Sequence, residues 1–449
     1  MKLLQPTNLA HRFGCSTGTA VNGASDARMI TNERDLIKSI EAIVGPENVT
    51  EAPSLLIGEL NPRLVARPGT CEEIVACLKV CAEARAAVVP AGQMTWLGCG
   101  NPLRRADVVL SLSRLNRIIE YSPPDLTATV EAGLTLRDFN APIRPERQWL
   151  PLDPPSFADS TLGAVASCNS SGALRLGFGT PRDYVIGLKL AHADGTESRS
   201  GGKVVKNVAG YDMNKLYVGS YGTLAVITVI TFKLRPLPER SSTVLITAKY
   251  RGSLFQLGKR ILSSELLPAS VLLARGVSGL PEDALLIRFI DSEASVTSQV
   301  DSVLSLVDGT SSATVLNENE ADAIWAEVAD FDQHAIGVKL SVPLSAVPAE
   351  FEKAFLAHLE CVATADIGTG IIRVAFDSDE RLAVDQIKRL RANASAVAGS
   401  LFIEKAPPGI TRAADAWGDA GPTAALMKSL KERFDPQSML SPGRFVSGI

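Results

Sequence analysis

Apolar residues recur along this chain at two spacings, every second position and every third or fourth, and the changes between them mark out its elements. Leu64 to Ala66 reads as a short strand halted by Pro68. Thr70-Cys71-Glu72-Glu73 has the form of a capping box, with Ile74, Leu78, Cys81 and Ala82 following at helical spacing to about Arg85. Ala87 to Val89 predicts a strand that stops at Pro90, and Val108 to Ser111 a further one. Ile118–Tyr121 and Thr127–Val130 predict a hairpin across Pro123-Pro124-Asp125. Val185–Ala191 and Leu224–Leu234 are strand-like, with Asp194-Gly195 as a turn. Pro236-Leu237-Pro238-Glu239 marks a domain boundary, because two prolines interrupt ladder hydrogen bonding. Beyond it short strands alternate with helices, the clearest at Phe255–Leu262, Ala294–Leu306 and Asp379–Ala394. Pro422 opens a last helix that runs to about Phe434 and stops at Asp435-Pro436.

The pattern is α+β. Its 449 residues leave room for two or three domains. The expected division is a leader at 1–30, a first domain at 31–240, a second at 241–410, and a helix and tail at 411–449 returning to the first domain. The leader is rich in Ser, Thr, Gly, Ala and Asn, lacks the layout of a secretory signal, and is expected to be poorly ordered. Hydrophobic residues make up 46% and charged residues 21%, ordinary for a globular enzyme. A net charge of -4 gives no reason to expect nucleic acid as a partner. No apolar run reaches the roughly 18–20 residues of a membrane span. Seven cysteines, without disulfide-like spacing, point to a reducing cytoplasm. Cys77 and Cys81 share a helical face but lack the rest of a metal ligand set, so buried thiols are expected and no metal site.

Four segments carry candidate chemistry. Pro90-Ala91-Gly92-Gln93-Met94-Thr95 leaves a strand and turns through Pro and Gly, so its backbone N–H groups can approach a diphosphate; a plain strand-to-loop turn is the alternative. Pro151 to Pro155, including Pro154, precedes the run Ser160 to Gly172, where small and hydroxylic residues let a flat ring lie against the main chain. Gly201 to Asp212 gathers Lys203, Lys206, Asn207 and Tyr211, suited to an acidic substrate or a negatively charged ring, or else forming a solvated loop. Gly219-Ser220-Tyr221-Gly222 is a tight turn into an apolar strand. A nicotinamide fingerprint fails, because Gly98-Cys99-Gly100 is followed by Asn101-Pro102-Leu103.

In this order and spacing the four segments resemble the PCMH-type FAD-binding domain shared by vanillyl-alcohol oxidase, D-lactate dehydrogenases and glycolate oxidase. GGKVVKNVAGYD with GSYGTL is similar to the glycolate oxidase FAD-binding subunit, and Pro442-Gly443-Arg444-Phe445 resembles the family's C-terminal signature. The resemblance implies two α+β subdomains clasping FAD, then an α+β domain with an antiparallel sheet over the flavin. It implies that Pro90, Ala91, Gly92, Gln93, Met94 and Thr95 hold the diphosphate. Pro154, Thr161, Leu162, Gly163, Ser167 and Gly172 would line the ring and diphosphate, and Asp183, Gly222 and Ile227 would complete the cleft. No His lies between His11 and His192, so non-covalent FAD is expected, Cys99 and Cys168 being the remaining routes to a thioether.

The family's 2-hydroxyacid dehydrogenases carry a His-rich metal motif in the second domain, where this chain has only His334 and His358. The glycolate oxidase FAD subunit also lacks it, and works with a catalytic flavoprotein subunit and an iron–sulphur subunit. Hydroxy-acid oxidation needs a cation for the carboxylate and a group for the hydroxyl proton. Lys206, Asn207 and Tyr211 are the candidates, and no residue stands out as the base. Three readings follow: a subunit of a glycolate or 2-hydroxyacid oxidase or dehydrogenase, an FAD-holding or electron-relay subunit without its own substrate, and a sugar or aldonolactone oxidase of the same fold.

Overall fold

The computed structural model describes residues 33–52, 54–203, 211–329, 333–355 and 361–449. The expected leader, Lys206 and Asn207 lie outside these residues.

Two small sheets build the first domain. In one, Leu64–Ala66, Val108–Ser111 and Val88–Ala91 run parallel in that order, with Val49–Glu51 antiparallel on the outside. The strand expected to stop at Pro90 continues to Ala91. Successive residues of a strand point their N–H groups to opposite sides, so residues two apart share a side. Val88 donates to Met439 of the tail, so Pro90 turns its missing N–H to that same side, away from the Val108–Ser111 ladder. The other sheet is antiparallel in the order Ile118–Ser122, Thr127–Glu131, Val226–Lys233, Val185–Ala191, Glu197–Gly201. The helix Cys71–Glu83 starts at Thr70, whose Oγ1 accepts from Glu73 N at 3.1 Å. Glu73 accepts from Gly69 rather than from the cap residue itself, so the box closes one residue upstream. Cys77 and Cys81 lie in the apolar core between these layers, and burial pushes the Cys77 thiol up to about 12.

The second domain is one antiparallel sheet of eight strands. Its order is Ser311–Val315, Arg240–Ala248, Asp283–Asp291, Ser270–Arg275, Cys361–Asp366, Ile371–Phe376, Ile336–Ser341, Ser400–Lys405. Helices Arg251–Leu262, Glu293–Leu306, Val347–Phe355 and Glu380–Ala396 contribute to its core. The first domain's core ends at Leu234 apart from two tail residues, and the second begins at Val244.

The tail crosses back. Met439 and Leu440 are buried in the first core, and Ser441 N donates to Val88 O at 2.9 Å. A buried latch fixes it: Lys431 Nζ donates to Asp435 at 2.6 Å, Thr223 O at 2.7 Å and Leu440 O at 2.8 Å. All three protons of the ammonium are used, which makes its burial tolerable. Among the described residues no helix is long and apolar enough to cross a membrane.

Candidate functional site

A cleft of about 880 Å³, open to solvent, lies between the end of the Val88–Ala91 strand and the helix Leu162–Cys168. The loop Gly92 to Leu97 forms one wall. Thr161, Gly163, Ala164, Ser167 and Cys168 form the other, with Tyr221, Gly222 and Ile227 at the back and Ser441 and Arg444 from the tail. Loop and helix approach closely only because Gly92 has no side chain. A Cβ there would overlap the Thr161 hydroxyl and stand 2.7 Å from its methyl. Met94 sits at φ +65° and Tyr221 at φ +55°, both left-handed, so the cleft wall carries some backbone strain.

The N–H groups of Gly92, Gln93, Met94 and Thr95 donate to no described residue. A mostly uncharged cleft with free amides suits a diphosphate, which such groups hold without a counter-ion. The apolar faces of Ala132, Ala164 and Val226 suit a flat ring. The residues therefore fit an FAD.

Eleven of the fifteen expected cofactor residues line this cleft: Pro90, Ala91, Gly92, Gln93, Met94, Thr95, Thr161, Gly163, Ser167, Gly222 and Ile227. Four do not. Leu162 is fully buried in the core, and its N–H donates to Leu134 O. Gly163 faces the cleft, but its N–H is likewise taken, by Ala132 O at 2.7 Å. Asp183 caps its own short helix, accepting from Thr180 N at 2.8 Å and from the Thr180 hydroxyl. Pro154 lies outside both the cleft and the chamber described below. Gly172 is pressed against Asp153, whose carboxylate accepts from Gly172 N at 2.9 Å and Leu174 N at 2.8 Å. Burial pushes the Asp153 carboxyl up to about 6, against the pull of those N–H groups and of Arg373 and Arg288.

Of the expected catalytic residues, Tyr211 is 95% exposed and lines neither the cleft nor the chamber. Lys203 pairs with Glu120 on the surface. His192 is held by the Ser198 hydroxyl and stacks with Phe434, and His334 pairs with Asp377. Among the described residues no three His, Cys, Asp or Glu side chains gather as metal ligands.

The charged groups that do converge come from the second domain. Where its sheet meets the first domain, a narrow chamber is lined by Ser171, Arg175, Lys339, Thr364, Asp366 and Arg373, among others. Lys339 and Arg373 face each other directly across an antiparallel pair, an arrangement that repels. One carboxylate serves both: Glu404 lies 3.3 Å from Lys339 and 3.2 Å from Arg373. Burial opposes ionisation of Glu404, yet the two cations outweigh it and hold the carboxyl below its usual range. Arg373 also donates to Ser171 O at 2.7 Å, tying the sheet to the first domain. Lys339 lies over the Phe402 ring at 5.3 Å, and Phe402 packs 6.0 Å from Tyr221 in the wall of the cleft, so the chamber adjoins the cleft. Nothing in the local sequence singles these cations out, since a charge alternating with apolar neighbours on a strand reads as a solvent-facing position.

The sequence model of a family described as an FAD binding domain matches residues 62–201. Glycolate oxidase subunit GlcD of Bacillus subtilis is 34% identical over 252 residues, covering 54% of this chain and 53% of the relative. A probable mitochondrial D-lactate dehydrogenase of Danio rerio is 27% identical, covering 86% of this chain and 84% of the relative. Glycolate oxidase subunit GlcE of Escherichia coli is 35% identical, covering 40% and 49%. The chain thus spans about half the length of the two glycolate oxidase subunits it matches. Among solved structures, p-cresol methylhydroxylase with substrate bound superposes with a TM-score of 0.74 at 14% identity, covering 92% of this chain and 96% of that one. That likeness establishes the fold.

Proposed function

We propose that this chain, whose residues 62–201 form an FAD-binding domain, is a flavin-dependent oxidoreductase that oxidises the CH–OH carbon of a small 2-hydroxy acid. The observation that carries the reading is the pair Lys339 and Arg373, two cations sharing the single carboxylate of Glu404 beside the cleft. Their surplus positive charge suits the carboxylate of a hydroxy acid, and Arg373 can bind it through two parallel N–H groups. FAD, once bound, supplies the acceptor for the hydride. The chain's own part is to hold the diphosphate on the amides of Gly92 to Thr95, to orient the substrate carboxylate on Arg373 and Lys339, and to keep water from the ring with Tyr221 and its aromatic neighbours. Tyr221 packs edge-on against Trp417 at 4.7 Å and lies 5.8 Å from Phe445. Glycolate, D-lactate and D-2-hydroxyglutarate are the substrates to try, since relatives are named for the oxidation of each. The FAD is held non-covalently, and the cytoplasm remains the proposed setting for a chain with free thiols.

The likeness to two glycolate oxidase subunits favours a second reading, in which the chain works as one subunit and passes electrons on without a substrate of its own. Anaerobic titration separates the two. The purified protein should be yellow, release free FAD on acid precipitation, and bleach with one of the three acids. A yellow protein that no hydroxy acid bleaches alone, but that bleaches with its co-purified subunits, favours the second reading. A colourless protein that takes up no FAD rejects both.

A further inference from the structure

The stretch Pro151 to Pro155 lines neither the cleft nor the chamber, so neither ligand accounts for it. Its one charged residue is Asp153, and the prolines at 151, 154 and 155 stiffen the chain around it. The segment 171–174 is seated on this residue. Asp153 Oδ1 accepts from Gly172 N at 2.9 Å, and Oδ2 accepts from Leu174 N at 2.8 Å. A Cβ on Gly172 would stand 2.1 Å from Asp153 O, so the two main chains touch. Ser171 O, one atom along from Gly172 N, accepts from Arg373 Nη2 at 2.7 Å. These two atoms belong to one peptide group, which is planar and trans, so its C=O and N–H point in opposite directions. Asp153 grips one end of that group and Arg373 the other. A carboxylate on the N–H also polarises the group and makes its oxygen a better acceptor.

Arg373 is thereby fixed at two points, with Nε on Glu404 at 3.2 Å and Nη2 on Ser171 O. Nη1 has no hydrogen-bond partner among the described residues, which leaves that end of the fork for a carboxylate. We propose that Asp153 is a positioning residue for substrate binding: through the Ser171–Gly172 peptide it holds the Arg373 guanidinium with its free end presented to the chamber. This rests on the reading that Arg373 takes the substrate carboxylate. Charge alone gives the opposite expectation for a variant. Arg373 and Arg288 are the cations whose charge acts on the Asp153 carboxyl, and Asp322 acts in turn on Arg288. Removing the negative charge would by itself tighten an anion on Arg373, whereas removing the anchor loosens it.

The test uses the FAD-loaded protein and oxalate, which has no C–H bond to oxidise, so calorimetry reads affinity without turnover. At about pH 8 Asp153 is ionised, since burial pushes its carboxyl only to about 6. Asp153→Asn presents an N–H group where one oxygen accepted. It should keep its FAD and bind oxalate about fivefold more weakly, the worth of one ordinary hydrogen bond. KM for whichever hydroxy acid is oxidised should rise with it. Equal or tighter binding would overturn the proposal. In the Arg373→Met background the same substitution should change nothing further, and an undiminished loss there would overturn it too, by showing that Asp153 acts elsewhere. Wild-type protein gives an arm that no folding failure can spoil. A protonated Asp153 keeps one good acceptor instead of two, so oxalate affinity should fall as pH drops from about 8 to about 5, although acid otherwise favours anion binding. A flat or rising profile contradicts the assignment. A wild-type chain that binds no oxalate and oxidises none of the three acids rejects the proposed function itself. Binding that depends on Arg373 but not on Asp153 rejects this inference alone.

Discussion

Gly92→Ala tests the cleft at its tightest point. The added methyl would overlap the Thr161 hydroxyl and stand 2.7 Å from Cγ2 and 2.9 Å from Cβ of the same residue. Thr161 cannot turn away without consequence, because it is buried and caps the helix Leu162–Cys168. The loop must therefore move, and with it the amides of Gly92 to Thr95. Forcing one methyl into a packed site costs about 1–3 kcal/mol. If the loop carries that strain, FAD affinity falls about 5- to 150-fold. Titrating apoprotein with FAD and following the loss of flavin fluorescence gives the dissociation constant directly. The double variant Gly92→Ala/Thr161→Ala removes the two closest contacts, so it should recover much of the affinity and show a coupling of about 1 kcal/mol or more. A single variant within twofold of wild type in FAD affinity, with unchanged thermal stability, would mean that the two walls do not form one binding site.

Other side chains answer to other assays. Arg373→Met removes charge-assisted hydrogen bonds of about 1.5–3 kcal/mol each, so KM for the hydroxy acid should rise tenfold or more with FAD affinity unchanged; an unaltered KM would remove Arg373 from substrate binding. Burial raises the Asp153 carboxyl in the folded protein from its ordinary 3.8 to about 6, so its contribution to stability is fully present below the unfolded value and lost as pH rises through about 6. Asp153→Asn should flatten urea stability between about pH 4 and 6, and a variant that keeps the wild-type slope contradicts the assignment. Lys431→Met strands the buried Asp435 carboxylate and should cost about 3–5 kcal/mol in denaturant stability; a loss below about 1 kcal/mol would show that water reaches the latch.

Apolar runs made most of the first domain legible, because strands such as Leu64–Ala66 and Val108–Ser111 are buried on both faces and read as short unbroken apolar stretches. The hairpin at Pro123-Pro124-Asp125 and the helix behind Thr70 fall where local chemistry puts them. Pro90 misled for a physical reason: a proline stops a strand only where its N–H is needed, and that side of this strand faces the tail. The loop from Pro90 to Thr95 was readable because a glycine directly after a strand allows close approach. Leu162 and Gly163 looked similar, but their N–H groups are spent on Leu134 and Ala132, a long-range pairing that local sequence does not encode. The same limit hides Lys339, Arg373 and Glu404. Alternation places a charge on the outer face of a strand, and only the packing of two domains decides whether that face meets water or a ligand. The tail was visible as Pro442-Gly443-Arg444-Phe445, yet the place of Arg444 in the cleft depends on a latch at Lys431 that no spacing reveals.

The distribution of charge gives the site its direction. Among the residues described around the cleft, Arg444 and Asp159 are the charged side chains, and formally they cancel. A ligand with a diphosphate must then be held at that end by fixed dipoles, which act at short range and are little affected by salt. The chamber beyond is different, since Arg175, Lys339 and Arg373 face Asp366 and Glu404 there, one cation in excess. On the proposed function, a hydroxy acid held on Lys339 and Arg373 would approach the cleft from the second domain, and its carboxylate would draw on these cations rather than on the amides of Gly92 to Thr95 that suit the diphosphate.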